Sequence, residues 1–165
     1  MKKLLFLLIA LQTVKFSNSQ VIELVLNDPD KLSPTNVRSK PGGDIIATID
    51  SRDELPIVKV LSKEGNYFLI NSYEFCGRDA VLLSKNGYIH YSVLGAYISN
   101  YEKKIIPIYD NFNKTTPLRK VTYNDEFVNV LDSKNNLYLI FRKKSNEKFW
   151  IEAKYLCFSS CTSCN

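Results

Sequence analysis

Residues 87–94 read Gly-Tyr-Ile-His-Tyr-Ser-Val-Leu, and residues 149–156 read Phe-Trp-Ile-Glu-Ala-Lys-Tyr-Leu. Both segments carry an aromatic residue, an isoleucine, a polar residue and a final leucine at the same offsets. Self-similarity at this spacing indicates a duplicated supersecondary unit. We therefore predict one unit over residues 20–100 and a second, ending in a cysteine-rich tail, over residues 101–165.

Around both segments the apolar residues alternate with polar ones, which is the period of a β-strand. The Asn86-Gly87 pair predicts a hairpin between strands 81–84 and 87–92, because it accepts the positive φ angles of a type I′ turn. A helical turn is expected over residues 93–98, just before the boundary. Further strands are predicted at residues 21–26, 45–49, 57–61, 67–71, 105–109, 117–121, 126–131, 137–142 and 149–152. The predicted fold is all-β, with two small barrels in tandem.

The first 19 residues have the form of a cleavable secretory signal peptide. Lys2 and Lys3 precede an apolar run at 4–11, and Ser17 and Ser19 supply the small residues of a cleavage site. The run is much shorter than the roughly 20 residues that span a bilayer. We therefore expect a soluble exported protein, periplasmic or secreted, without a membrane anchor.

The charge of the chain argues against a nucleic-acid partner. The formal net charge of the 165 residues is +5, from 22 basic and 17 acidic side chains. Loss of the three lysines of the leader leaves 19 basic residues, interspersed with the acidic ones. Such a surface is typical of a solvated protein and not of a polyanion-binding site.

Residues 35–43, Thr-Asn-Val-Arg-Ser-Lys-Pro-Gly-Gly, precede the apolar strand Ile-Ile-Ala-Thr-Ile at 45–49. This arrangement resembles the Asn-Val-Arg-Ser-x-Pro loop of bacterial Src-homology-3-like (SH3-like) domains, and 87–94 is similar to the final strand of that family. Asn-Asp-Pro-Asp at 27–30 resembles the Asp-Pro-Asp motif of exported members. The second half departs from the pattern, with Ile-Tyr-Asp at 108–110 in place of Asn-Val-Arg. The common tryptophan of the third strand is absent from both halves.

The resemblance implies an exported, non-catalytic binding or scaffold module of the bacterial cell envelope, whose partner is a peptidoglycan peptide or an envelope protein. Two such units and a leader leave no room for an enzyme domain, so neither an enzyme nor a cofactor is expected. The alternative from another class is a small secreted inhibitor or immunity-type protein that blocks an enzyme. A concave aromatic groove would favour the module, and a protruding loop with a flat apolar collar would favour the inhibitor.

Candidate ligand residues are the aromatic side chains out of phase with their aliphatic neighbours, because flat rings stack on extended ligands at little entropic cost. We predict that the ligand surface includes Arg38, Tyr88, His90, Tyr91 and Tyr109. Two alternatives stay open at this point. The aromatic rings could fill the core, and Arg38 could tie down its own loop.

All four cysteines, Cys76, Cys157, Cys161 and Cys164, lie beyond the leader, where an oxidising compartment favours disulfides. Four cysteines allow three pairings. The tail resembles the leucine-cysteine ending of exported tandem members, which implies a bridge between two terminal cysteines. The preferred pairing is Cys157 with Cys164, which leaves Cys161 to meet Cys76 if the two units pack together. Two other readings are weaker: a zinc site of the tail cysteines with Cys76 or His90, and a Cys76–His90 nucleophile pair.

Overall fold

The computed structural model describes residues 22–100, 105–113, 116–123 and 125–159, and within these ranges the chain is all-β, as predicted. Two 3₁₀ turns, Tyr91–Val93 and Ala153–Tyr155, are the only helical elements there. Accordingly, no helix in the described ranges has the length and apolar character needed to span a membrane. The strands are β1 (Ile22–Leu26), β2 (Thr35–Arg38), β3 (Ile45–Ile49), β4 (Ile57–Glu64), β5 (Tyr67–Glu74), β6 (Val81–His90), β7 (Leu94–Ile98), β8 (Ile106–Ile108), β9 (Arg119–Val121), β10 (Glu126–Lys134), β11 (Leu137–Arg142), β12 (Glu147–Glu152) and β13 (Leu156–Cys157).

The strands form one large antiparallel sheet in the order β12-β11-β10-β7-β1-β4-β5-β6-β2-β3, with β13 on β7, and a separate pair of β8 and β9. Two small barrels in tandem were predicted. Instead, the strands of both halves other than β8 and β9 belong to one continuous sheet, and the pairings of the described residues show no closed barrel. The physical reason is β7, which pairs with β1 and with β10 and thereby joins the two halves.

The same strand connectivity occurs twice. β1 pairs with β4 and β7, and β7 in turn pairs with β10 and β13. Tyr67 faces His90 in β5 and β6, just as Leu137 faces Glu152 in β11 and β12. The repeat in the sequence thus has a structural counterpart, a first copy (β1–β7) and a second copy (β7–β13). The division into two domains near residue 100 stays a prediction, because β7 serves both copies.

One hydrophobic core extends through both copies. In β5, Phe68 and Ile70 are buried between half-buried neighbours, which is the alternation expected of a strand with one face on a core. The same core contains Ile89 of β6 and, from the second copy, Val128 and Phe149. The copies therefore pack as parts of one hydrophobic interior.

The predicted hairpin at Asn86-Gly87 is wrong. Residues 81–90 form a single strand, in which Gly87 lies opposite Ile70 of β5. A Cβ atom at Gly87 would approach Cγ1 of Val37 to 2.3 Å, so this glycine allows β2 to cross closely and does not make a turn. Residues 83–86, Leu-Ser-Lys-Asn, form an extended bulge, since these four residues of β6 stand opposite Asn71 alone.

The predicted helical turn at 93–98 is also wrong, because residues 94–98 form strand β7. Its backbone groups are engaged by neighbours on both sides. A Cβ atom at Gly95 would lie 2.0 Å from the carbonyl oxygen of Val128, which shows how closely β7 and β10 approach. The buried Asn129 amide of β10 donates to the carbonyls of Tyr91, Ser92 and Leu94, at 3.2, 2.9 and 3.2 Å. This side chain ties the second copy to the 3₁₀ turn of the first.

Candidate functional site

Two of the predicted ligand residues, Tyr88 and His90, lie side by side on the outward surface of β6. They alternate with the buried Gly87 and Ile89 of the same strand. On β5, the half-buried Tyr67 stands opposite His90 and the half-buried Leu69 opposite Tyr88. Glu64, the last residue of β4, pairs with Tyr67. We name this surface the aromatic face; it consists of Glu64, Tyr67, Leu69, Tyr88 and His90.

The rings of the aromatic face contact one another. The Tyr67 and His90 centroids lie 5.0 Å apart in an edge-to-face arrangement, and His90 lies 4.6 Å from Tyr91. The Tyr88 hydroxyl donates a hydrogen bond to Oε2 of Glu64 at 3.0 Å, and this bond raises the pKa of Tyr88. Tyr91 is partly buried against the main core, so its ring packs between that core and His90 and is not counted as part of the aromatic face.

His90 also holds the 3₁₀ turn that follows it. Its Nδ1 accepts from the backbone N–H of Ser92 at 3.3 Å and lies 2.8 Å from the Ser92 hydroxyl. Because an N–H group can only donate, Nδ1 is unprotonated and the neutral ring carries its proton on Nε2. Desolvation lowers the pKa of His90, which favours this neutral form.

Arg38 is held by its own loop. Its backbone pairs with Tyr88, but its Nη1 donates to the carbonyl of Gly43 at 2.7 Å. The loop is closed further by hydrogen bonds from Ser39 to Asp44 and from Gly43 to Lys40. These contacts favour the structural alternative, in which the guanidinium of Arg38 fixes the loop.

Tyr109 does not lie on the surface as expected. It is 8% exposed and packs with Leu137 and Trp150 in a small cluster of the second copy. Its hydroxyl donates to Oε1 of Glu152 at 3.3 Å, and burial raises the pKa of Tyr109. The Tyr109 ring therefore fills the interior of the second copy, which was the alternative to a ligand contact.

This small cluster occupies the position in the second copy that the aromatic face occupies in the first. Trp150 pairs with Tyr109 as Tyr88 pairs with Arg38. Phe112, from the loop after β8, lies edge-on to Trp150 with centroids 5.8 Å apart, and Nζ of Lys134 lies 3.9 Å from the Phe112 centroid. Trp150 is only 9% exposed as a result. The chain covers this face with its own side chain, whereas the corresponding side chains of the first copy stay half-buried.

A groove between the two copies escaped the sequence analysis. It has a volume of about 450 Å³ and lies between the β4–β5 and β10–β11 hairpins. Lys63 and Asp132 face each other across it, with Nζ and Oδ2 3.8 Å apart. Phe68 and Tyr138 contribute aromatic lining, and burial raises the pKa of Tyr138. No local signal could reveal it, because its two walls are about 70 residues apart in sequence.

The described residues test only some of the predictions made for the cysteines. Cys76 follows β5, whereas His90 faces the first residue of that strand. Seven residues at roughly 3.3 Å each separate the two ends of β5 by about 23 Å, which excludes a Cys76–His90 nucleophile pair.

Cys157 is buried in β13, and Cys161 and Cys164 lie outside the described residues. The disulfide pairings and the zinc alternative therefore stay predictions. Within the described part of the chain, no group of three or more His, Cys, Asp or Glu side chains could hold a metal ion. The leader at residues 1–19 is likewise outside the described ranges, so export also stays a prediction.

No known protein family and no curated protein matches this sequence. Among solved structures, NlpC1 from Trichomonas vaginalis is similar at 14% identity and a TM-score of 0.31, over 83% of this chain and 45% of that one. The chain thus spans less than half the length of NlpC1. The native structure of CBDP35 is similar at 14% identity and a TM-score of 0.26, over 83% of this chain and 95% of CBDP35. No family assignment follows from similarities at this level.

Proposed function

We propose that the chain is an exported, non-catalytic binding module of the cell envelope that recognises an extended peptide, either a peptidoglycan stem peptide or a segment of an envelope protein. The observation that carries this proposal is the uncovered aromatic face of the first copy. The equivalent face of the second copy is filled by Phe112, a side chain of the same polypeptide. One copy therefore completes its surface internally, and the other leaves the same kind of surface for a partner.

The chemistry of the aromatic face suits a peptide. The rings of Tyr67, Tyr88 and His90 offer flat apolar area at low entropic cost. The Tyr88 hydroxyl, the Glu64 carboxylate and the Nε2–H group of His90 add polar partners for a backbone or a side chain. This mixture of apolar area and a few polar groups is typical of peptide recognition.

The face is also rigid before any ligand arrives. β5 is paired on both sides, with β4 and with β6, and Phe68 and Ile89 anchor the face to the core. Binding then costs little free energy for ordering the protein, so a given contact area gives a higher affinity.

Co-sedimentation with purified peptidoglycan sacculi, together with a pull-down from an envelope extract, tests the proposal with a chain of residues 20–165. We expect retention on at least one of the two, and we expect Tyr88→Ala to reduce that retention about tenfold, which corresponds to about 1.4 kcal/mol for the lost aromatic contact. Leu82→Ala is the matched control, because Leu82 is 75% exposed and lies outside the aromatic face. Retention on neither material would overturn the proposal.

A secreted inhibitor is the second candidate, and one observation favours it. The exposed residues 84–86 bulge out of β6, and the strand carries the exposed Leu82 just before them. An exposed polar bulge beside an exposed apolar side chain is a feature that could enter an enzyme's cleft. If the pull-down captures an enzyme whose activity falls on binding, and Leu82→Ala rather than Tyr88→Ala abolishes capture, the inhibitor reading replaces the binding module.

A further inference from the structure

We infer that the aromatic face selects peptides that carry a cationic group, a primary ammonium or a guanidinium, and that the Glu64 carboxylate receives it. This inference rests on the proposed function and names the ligand chemistry of the same site. It concerns the first copy alone, since the equivalent face of the second copy is covered.

The first argument is an inversion of charge at one position of the repeat. Glu64 stands opposite Tyr67 at the end of β4, and Lys134 stands opposite Leu137 at the end of β10. These are equivalent positions in the repeated connectivity. In the second copy the sheet supplies the cation of Lys134, and the covering loop supplies the ring of Phe112. In the first copy the sheet supplies rings and a carboxylate, so the complementary occupant is a cation.

The second argument is the position of the carboxylate among the rings. Oε2 of Glu64 lies 3.0 Å from the Tyr88 hydroxyl, and Glu64 is paired in the ladder with Tyr67. A cation that contacts this carboxylate therefore also lies near aromatic rings. Cations are attracted to ring faces within about 6 Å, and the rings displace water from one side of the ion pair. An exposed ion pair alone would contribute little.

The third argument concerns the charges nearby. Lys63 precedes Glu64 but points to the other side of β4, where its Nζ lies 3.8 Å from Asp132 across the groove. His90 is kept neutral by desolvation, so it does not repel a bound cation. Arg38 stands opposite Tyr88 on β2, but its guanidinium is engaged by the carbonyl of Gly43 at 2.7 Å. Glu64 is thus the one carboxylate among the residues of the aromatic face.

The test uses two synthetic tetrapeptides of one sequence, L-Ala–D-isoglutamine–L-Lys–D-Ala, with the lysine side chain free or Nε-acetylated. Binding of each to the chain of residues 20–165 is followed by NMR chemical-shift titration. We expect acetylation to weaken binding about tenfold, the value of one charge-assisted contact. Glu64→Gln should remove the difference between the two peptides, and Glu23→Gln, an exposed carboxylate on β1, should preserve it.

The results separate the inference from the proposed function. Equal affinity for both peptides in the unmodified protein overturns the inference and leaves the proposed function standing. Binding of neither peptide also overturns the inference, and retention on sacculi or envelope proteins then decides the proposed function separately. An unchanged thermal unfolding midpoint in Glu64→Gln excludes loss of structure as the cause, and Tyr88→Phe, which removes the hydroxyl contact with Glu64 but retains the ring, should preserve most of the selectivity.

Discussion

The aromatic face of the first copy and its counterpart in the second are built on equivalent strands in equivalent register, yet one is uncovered and the other is covered. Tyr88 and Trp150 occupy equivalent positions, but Trp150 lies beneath Phe112 and Tyr88 does not have such a cover. The difference originates in the loop after β2 in the first copy and in the equivalent loop after β8 in the second. In the first copy, the guanidinium of Arg38 fixes this loop through the carbonyl of Gly43. In the second copy, Tyr109 is buried and a longer loop places Phe112 over Trp150. One framework thus carries a covered face in the second copy and an uncovered face in the first.

The largest effect expected from this comparison is a difference in stability between equivalent aromatic residues. Trp150→Ala should lower the free energy of unfolding by about 3–5 kcal/mol, because it removes a buried ring from the cluster with Leu137. Tyr88→Ala should lower it by about 1 kcal/mol, since that ring is half-buried. Urea denaturation followed by circular dichroism measures both. Equal losses would show that the two faces are equally buried in solution and would break the comparison.

The joint between the copies should give the next largest effect. Asn129→Leu removes the donor to three carbonyls around the 3₁₀ turn, and a loss of about 2 kcal/mol is expected from the buried acceptors left without it. Asn36→Leu, at an exposed position of β2, serves as the control and should change stability by less than about 0.5 kcal/mol. If the two variants unfold alike in urea, Asn129 does not hold the copies together.

Removal of the cover should bring the second face closer to the first. Phe112→Ala should expose Trp150, the only tryptophan of the chain, and lower stability by about 1 kcal/mol. Tryptophan fluorescence should shift to longer wavelength and become more accessible to acrylamide. Phe75→Ala, in the loop after β5, should leave the emission unchanged; a shift of the same size there would mean that the fluorescence does not report this cover.

The smallest effect is a dependence on pH in the first copy. Desolvation lowers the pKa of His90 in the folded state, so the unfolded chain binds the proton more readily. Its contribution to stability is therefore present above the unfolded pKa of about 6.5 and is lost as pH falls through the folded value. Urea titrations at pH 7.5 and at decreasing pH should show a steeper fall for the unmodified protein than for His90→Gln. Identical pH profiles would show that protonation of the His90 ring does not lower the stability of the folded state.

The sequence predicted those parts of the fold that local patterns encode. Alternation alone located β3 and β11 with correct bounds. The repeated segments at 87–94 and 149–156 each form the end of a strand, a 3₁₀ turn and the first residue of the next strand. Alternation also brought Tyr88 and His90 together correctly, because residues two apart on a strand share a face. Asn86-Gly87 was misread because the conformational freedom of glycine serves a close crossing by Val37 as well as a turn.

The sequence by itself therefore determined an all-β chain with a duplicated strand pattern, since strand period and repeat spacing depend only on neighbouring residues. Only the tertiary structure decided that β7 belongs to both copies, that Tyr109 is buried and that Tyr88 remains uncovered. Each of these depends on contacts between residues far apart in the chain: β7 with β10, Phe112 with Trp150, and Glu64 with Tyr88. Two equivalent aromatic positions look alike in sequence, and the loop that packs over one of them makes the difference.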